Sequence, residues 1–392
     1  MKILNISQIL PIQGISHDNN FVFKLMEHYG ILFPSDSIFF FRPVPYTNNI
    51  LSKYFQESST PIPQDFQEYS YNHHKVKILK FISAWSKNNL HAILSHSIYR
   101  INKKYIDNLI KKERISIVHA QFIYPDGLLA LILRKRFNIP YIITTHQELK
   151  YFNNYLSRKI AISIIKNAYK IIPLNYKNYN FFTSLGLKNI EVIPLGFDKS
   201  FFVKSSRNAN SGDFRIISVC ELLKLKNIDK VLIALSILRK KFQIKYSVVG
   251  IGPESEFLRK LAVQLAVNDI VEFYGYSENN KIPEILSQHD LFILPSYPET
   301  FGRVYFEAMA AGLPVICAQN SGIYGYFPDL VDIHAINPEN PGELAEKITY
   351  FIENKGKRLE TGKNLQSLVS KYTWDNIAKR YGKLYREATC IL

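Results

Sequence analysis

Between Leu291 and Ala318 the chain reads LFILPSYPETFGRVYFEAMAAGLPVICA. Leu291 to Leu294 is an apolar run of strand length, and Pro295-Ser296-Tyr297-Pro298 is a turn cluster. A helical period begins at Arg303 and is stopped by Gly312-Leu313-Pro314, after which Val315-Ile316-Cys317 reads as a second buried strand. Strand, loop, helix and strand in this order form one unit of an open parallel sheet, where ligands bind at the carboxyl ends of the strands. Glu299 falls in the loop after the first strand and Glu307 about a turn into the helix, with seven residues between them. Both carboxylates can therefore face one crevice, beside the backbone N–H groups from Phe301 to Arg303 at the helix start. Such amides suit a phosphate, and carboxylates, as strong acceptors, suit sugar hydroxyls. Taken alone, the two glutamates also fit a capping carboxylate and a solvated helix face.

The Glu-x7-Glu pattern followed by Ala-Met-Ala-Ala-Gly-Leu-Pro-Val-Ile resembles the retaining glycosyltransferases of GT-B fold, family 4 (group 1). The resemblance implies an α/β chain of two Rossmann-like domains whose parallel sheets face a central cleft. It gives Glu299 the donor sugar and Glu307 the ribose, with Thr300, Phe301, Gly302 and Arg303 beside the donor. His146, in Thr144-Thr145-His146, matches the family's histidine beside the donor sugar near the anomeric centre, so His146 and Glu299 are the expected catalytic pair. Gly14, after the first strand, becomes a close-approach point for the diphosphate, although Gln13-Gly14 stands where the family often has Gly-Gly. The family's Gly-Arg-Leu-x-x-x-Lys segment corresponds to Cys220-Glu221-Leu222-Leu223-Lys224-Leu225-Lys226. Lys226 matches the lysine and should contact the diphosphate, but Glu221 stands where arginine is expected and would repel phosphate. Either Glu221 turns away and Lys224 or Arg303 compensates, or diphosphate affinity is lower. Gly250 and Gly252, in Val-Gly-Ile-Gly-Pro after a strand, are expected to line the nucleotide pocket; the third glycine of a dinucleotide fingerprint is missing. Tyr276, in Tyr274-Gly275-Tyr276, corresponds to the family segment near the base. No Asp-x-Asp occurs in the chain, so no catalytic metal and no bound cofactor are expected, with the nucleotide diphosphate sugar as co-substrate.

The chain of 392 residues, 47% hydrophobic and 21% charged, is long enough for two cores. Its net charge of +16 is uneven. Met1 to Leu195 holds 24 Lys+Arg against 11 Asp+Glu, and the remainder 25 against 22. The first half therefore faces something anionic. Nucleic acid has no recognition motif here, which leaves the anionic membrane surface. Cys220, Cys317 and Cys390 show no metal or redox spacing, a usage that fits a reducing cytoplasm. The start, Met1 to Ser7, does not read as a signal peptide, and no run reaches the ~18 to 20 apolar residues of a membrane span. The expected location is cytoplasmic, peripheral on the cytoplasmic face of the inner membrane.

Along the chain, strands are expected at Lys2 to Ser7, Ser37 to Val44, Ile115 to Ala120, Tyr141 to Thr145 and Ala168 to Leu174. Thr47 to Gln67 reads as a loop. His73 to Lys87 reads as a basic amphipathic helix, with Ile78, Phe81, Ile82 and Trp85 on one face, of a kind that lies in a membrane interface or packs on its own domain. Ile98 to Arg114 is a second basic helix, its Ile101, Tyr105 and Leu109 expected toward the core. His119 ends a strand and is expected to be structural or acceptor-side. A second round of βα alternation starts at Arg215. The resulting domains are 1-197, an acceptor-binding Rossmann-like domain; 198-213, a linker; 214-370, a nucleotide-sugar-binding domain; and 371-392, a helix that in the resembled fold crosses back.

The expected activity is transfer of a hexose from a nucleotide diphosphate sugar to a lipid-linked or glycan acceptor, with retention, in bacterial surface polysaccharide synthesis. Two readings stand beside it: a GT-B sugar-nucleotide epimerase, which needs no acceptor, and a non-catalytic scaffold whose phosphate site has decayed at Glu221.

Overall fold

The computed structural model describes residues 1–11, 20–46, 67–82, 93–146, 149–206, 212–326 and 333–390. It divides into two compact units. The first holds Met1–Leu174, Asn178–Pro194 and Asp375–Leu392, and the second Asn175–Lys177 and Leu195–Trp374.

The first unit is built on a seven-stranded sheet of order β3-β4-β2-β1-β5-β6-β7. Its strands are β1 (Lys2–Ile6), β2 (Ser37–Tyr46), β3 (Glu68–Tyr71), β4 (His74–Ile82), β5 (Ile117–Ala120), β6 (Tyr141–Thr145) and β7 (Lys170–Pro173). All neighbours are parallel except β3, which pairs antiparallel with β4. Between the strands run helices α1 (Phe21–Leu32), α2 (Ser97–Glu113), α3 (Leu128–Phe137), α4 (Tyr155–Asn167) and α5 (Tyr176–Ser184). The central strands are apolar without alternation because both faces are covered, the rule for parallel sheets. Leu4, Ile6, Val118, Ala120, Tyr141 and Ile143 face one core. Asn5, His119 and Thr144 alternate to the other face and are as deeply buried.

The second unit carries a six-stranded, wholly parallel sheet of order β10-β9-β8-β11-β12-β13. The strands are β8 (Phe214–Val219), β9 (Ile244–Val249), β10 (Val271–Gly275), β11 (Leu291–Leu294), β12 (Val315–Ala318) and β13 (Ile333–Ile336). Its helices are α6 (Ile228–Leu238), α7 (Ser255–Gln264), α8 (Ile282–Ser287), α9 (Arg303–Ala310), α10 (Pro341–Glu353) and α11 (Lys355–Val369). The start of α10 illustrates local control. Pro341 occupies the first turn, and the Asn340 side chain accepts a 3.1 Å hydrogen bond from the Glu343 amide. A last helix, α12 (Trp374–Cys390), leaves Trp374 fully buried in the second unit against Gly196, where a Cβ would come within 2.5 Å of the indole. The rest of α12 packs in the first unit.

Two expectations are corrected here. His73 to Lys87 is not a helix over its described part: His74–Ile82 is strand β4, paired with β2 and β3. Because β4 is covered on both sides, Val76 and Ile78 are buried on one face and Leu79 and Phe81 on the other, which imitates a helical period. Trp85 and Lys87 lie outside the described residues, as does nearly all of the expected Thr47 to Gln67 loop. Helix α2 forms as expected, but Ile101 is 50% and Tyr105 38% exposed; only Leu109 of that trio packs against the core.

Candidate active site

The order of the second sheet reverses between β8 and β11. In open parallel sheets the crevice opens at such a reversal, because the loops on either side leave in opposite directions. The loops after these two strands are stitched together. The Tyr297 amide donates to the Leu225 carbonyl at 2.8 Å, and the Asn227 side chain to the Pro295 carbonyl at 2.8 Å. That stitching brings Lys226, in the turn Lys224–Lys226, onto Glu299, with Nζ 2.6 Å from Oε2. The same oxygen accepts the Ser296 hydroxyl at 3.0 Å, while Oε1 accepts the Thr300 amide at 3.1 Å. Three donors therefore hold the Glu299 carboxylate in one position, about 15% exposed.

The backbone beneath it is held equally firmly. The Glu299 amide donates to the Ser321 hydroxyl at 2.7 Å, that hydroxyl donates to the Ser296 carbonyl at 3.0 Å, and the Gly322 amide donates to the Glu299 carbonyl at 3.0 Å. Ser321 thus splints both ends of the 296–299 turn, which contains the cis Tyr297–Pro298 bond. Asn175 adds a 2.6 Å bond to the Thr300 carbonyl. Neither serine nor Asn175 stands out in the sequence; the one signal is a polar Ser-Gly pair shortly after a buried strand.

Helix α9 opens on Gly302, whose φ of +74° is left-handed and whose missing Cβ makes room for the Tyr305 ring. Phe301 is buried against Phe306 and Tyr326, so only its backbone is available to a ligand. One turn in, the Arg303 guanidinium binds Glu307 at 2.9 Å. Burial pushes the Glu307 carboxyl up, with Arg303 opposing it. The start of α9 is thus flanked by two carboxylates, each paired with a cation.

Gly250 and Gly252 have a structural reason to be glycine. A Cβ on Gly250 would lie 1.8 Å from the Cys220 carbonyl oxygen, and one on Gly252 would lie 2.5 Å from that of Leu222. The backbone after β9 is pressed onto the loop after β8, where Leu222 and Ile251 share a 2.9 Å hydrogen bond. Glu221 is exposed on that loop, as is Lys224. Tyr276 is 68% exposed beyond β10. Burial drives the Cys220 and Cys317 thiols up to about 12, so neither is a thiolate near neutral pH. Among the described residues no three His, Cys, Asp or Glu side chains gather as a metal site.

In the first unit, His119 lies fully buried beneath α12. Its Nδ1 is 2.7 Å from the Tyr385 hydroxyl and its Nε2 2.9 Å from the Thr144 hydroxyl, which is 3.2 Å from that of Tyr381. Burial pushes this imidazole down to about 3. His119 is therefore a neutral structural residue fastening α12 to the sheet. His146 follows β6, stacked on Phe122 at 4.6 Å and tilted against Phe21 at 5.3 Å. Its carbonyl accepts a 2.5 Å bond from Asn178, and burial holds its ring near 3, hence neutral. Gly14 lies outside the described residues.

Two parallel α/β units, the second with paired acids and cations at its reversal point, define a chain of GT-B fold. Residues 200–367 match the model of the glycosyl transferases group 1, and residues 72–201 that of glycosyltransferase family 4. An uncharacterized glycosyltransferase of Methanocaldococcus jannaschii is 25% identical over 74% of this chain and 79% of its own. A putative colanic acid biosynthesis glycosyltransferase of Salmonella typhimurium is 30% identical over 42% of each. The crystal structure of Anabaena HepE in complex with UDP superposes with a TM-score of 0.70, at 18% identity, over 99% of this chain and 100% of that one. The chain belongs to the family 4, group 1 glycosyltransferases.

Proposed function

We propose that this glycosyltransferase moves a hexose, with retention, from a nucleotide diphosphate sugar to a lipid-linked or glycan acceptor in bacterial surface polysaccharide synthesis, peripheral to the cytoplasmic membrane face. The observation that carries the reading is the Lys226–Glu299 pair at the reversal point of the second sheet. The matched colanic acid protein and the UDP held by the Anabaena structure support the acceptor class and the donor class.

In this reading Lys226 and Arg303 are the cations for the donor diphosphate, joined by amides at the start of α9. As they turn to phosphate, Glu299 is released to sugar hydroxyls and Glu307 to the ribose. Arg303 fills the need left by Glu221, whose exposed carboxylate is free to turn to solvent. The bond from the anomeric carbon to the diphosphate oxygen breaks, and its electron pair leaves with the diphosphate. The acceptor oxygen bonds to the same face of that carbon, and its proton passes to the departing phosphate oxygen. Stabilising that leaving charge is the main catalytic task, which fixed cations perform without a divalent ion. Gly14 is proposed beside the diphosphate, Gly250, Gly252 and Tyr276 along the nucleotide, and His146, as a neutral imidazole, at a sugar or acceptor hydroxyl.

Calorimetry against UDP-, GDP- and ADP-sugars in chelator tests this. One base should bind wild type, at least tenfold more weakly after Lys226→Ala or Glu307→Ala, and transfer should yield a product with the donor's anomeric configuration. Binding by none of them, or only with added metal, overturns the site assignment. An inverted product overturns retention, and sugar modification without transfer leaves the epimerase reading.

A further inference from the structure

The outward face of α2 carries charge of one sign. At 100° per residue, Arg100, Ile101, Lys104, Tyr105, Lys111 and Lys112 share one side, opposite the buried Tyr99, Ile106 and Ile110, with buried Ile98 at the edge beside Tyr105. No acidic residue of α2 falls among them, and the acidic neighbour from the sheet, exposed Glu68 of β3, stands opposite Lys77 in the β3–β4 register and offsets one of the face's charges. Asp107 is turned aside, held by the Tyr99 hydroxyl at 2.5 Å and Lys103 at 2.6 Å. Glu113 is held by Lys2 at 2.9 Å. From β4, Lys77 sits over the Tyr105 ring at 4.6 Å, and exposed Lys75 lies on the same sheet face. A single exposed isoleucine is ordinary, but here Ile101 and Tyr105 stand within the cationic field.

We propose that this face of α2, with Lys75 and Lys77, docks the first unit onto an anionic lipid bilayer. Its purpose rests on the membrane-side acceptor of the preceding reading; its geometry does not. Nucleic-acid phosphates would engage the cations and leave Ile101 without a partner. A bilayer interface takes both: headgroups bind the cations, the lysine and arginine stems lie along the surface, and Ile101 and Tyr105 enter the boundary of the acyl region. Among the described residues no helix is long and apolar enough to cross a membrane, so α2 would lie on the bilayer.

Vesicle flotation with the full chain tests this. Wild type should float at low salt with vesicles containing about a third anionic phospholipid and remain behind with purely zwitterionic ones. Each cation near such a surface is worth about fivefold in partition, so Arg100→Glu, Lys104→Glu and Lys111→Glu together should cost at least about a hundredfold. The same number of reversals on the second unit, Lys240→Glu, Lys260→Glu and Lys363→Glu, should cost less than a tenth of that. Ile101→Ser with Tyr105→Ser should lower flotation most at high salt, where the apolar share dominates. Equal losses from both triple variants would assign the binding to net charge and overturn the proposal. So would absent flotation, or an α2-dependent affinity for duplex DNA exceeding that for vesicles. Donor calorimetry on the α2 variant should match wild type, showing that it folds. If no donor binds either chain, the transferase reading fails while the flotation result stands.

Discussion

His119 gives a quantitative prediction about acid stability. Its imidazole is fully buried, with both nitrogens in hydrogen bonds to Tyr385 and Thr144, and burial lowers it from 6.5 to about 3. The unfolded chain therefore takes up a proton at this residue below about pH 6.5, whereas the folded chain does not until about pH 3. Unfolded chains carry the extra proton across that window, so stability is complete above it and falls as the pH drops. The slope for one proton is about 1.36 kcal/mol per pH unit. Burial also lowers His146 to about 3 and His74 to about 4. Three such protons give about 4 kcal/mol per unit between pH 6 and 4.5, before carboxylates titrate in number. His119→Gln should remove one of the three. At pH 7 the variant should be less stable by about 1–3 kcal/mol, because Tyr385 and Thr144 lose partners, but its stability should fall by only about 2.7 kcal/mol per unit. Urea titrations of the full chain at closely spaced pH values, followed by near-ultraviolet circular dichroism on the first unit's transition, measure both slopes. Parallel slopes for wild type and variant would refute the argument, since they would mean that His119 binds a proton equally in the folded and unfolded chains.

Three further outcomes are expected. Gly250→Ala would place a Cβ 1.8 Å from the Cys220 carbonyl oxygen, so thermal melting should show a loss above about 3 kcal/mol or no folded protein. Gly275→Ala, at φ +75° with no atom within 4 Å, should cost only about 1–2 kcal/mol. Ser321→Ala removes the splint under Glu299 and leaves two partly or fully buried backbone groups unpaired, so it should raise the donor KM about tenfold and cost about 1–3 kcal/mol of stability, whereas a purely structural role would move only the latter. The Glu307 carboxyl, raised by burial, must be ionised to accept ribose hydroxyls, so donor affinity should fall as pH drops through a midpoint above the ordinary 4.5. Arg303→Ala removes the opposing cation and should shift that midpoint upward in calorimetric pH series.

The repeating βα order was legible because strands buried on both faces, such as Leu291–Leu294 and Val315–Ala318, carry uninterrupted apolar runs between glycine- and proline-marked turns. The same property hid β4. A strand covered on both sides has no period of two to read, and His74–Ile82 fits a helix equally well until its partners are known. Ile101 and Tyr105 were misread for the opposite reason: apolar residues of a helix were assumed to face inward, although that rule runs only one way. Within the site, Glu299 and Glu307 share one helix start, so their proximity follows from local spacing. Lys226 lies 73 residues before Glu299, and their contact depends on β8 and β11 being neighbours. Neighbourhood across a reversal point is a property of strand order, which no local pattern encodes. Ser321 and Asn175 were invisible for a related reason. They bind backbone groups, and a side chain that fixes a turn through its amides and carbonyls leaves no chemical signature in the residues it fixes. Residues that hold the reactive carboxylate are therefore harder to find in the sequence than the carboxylate itself, and substitutions there should alter donor handling without touching any group that meets the donor.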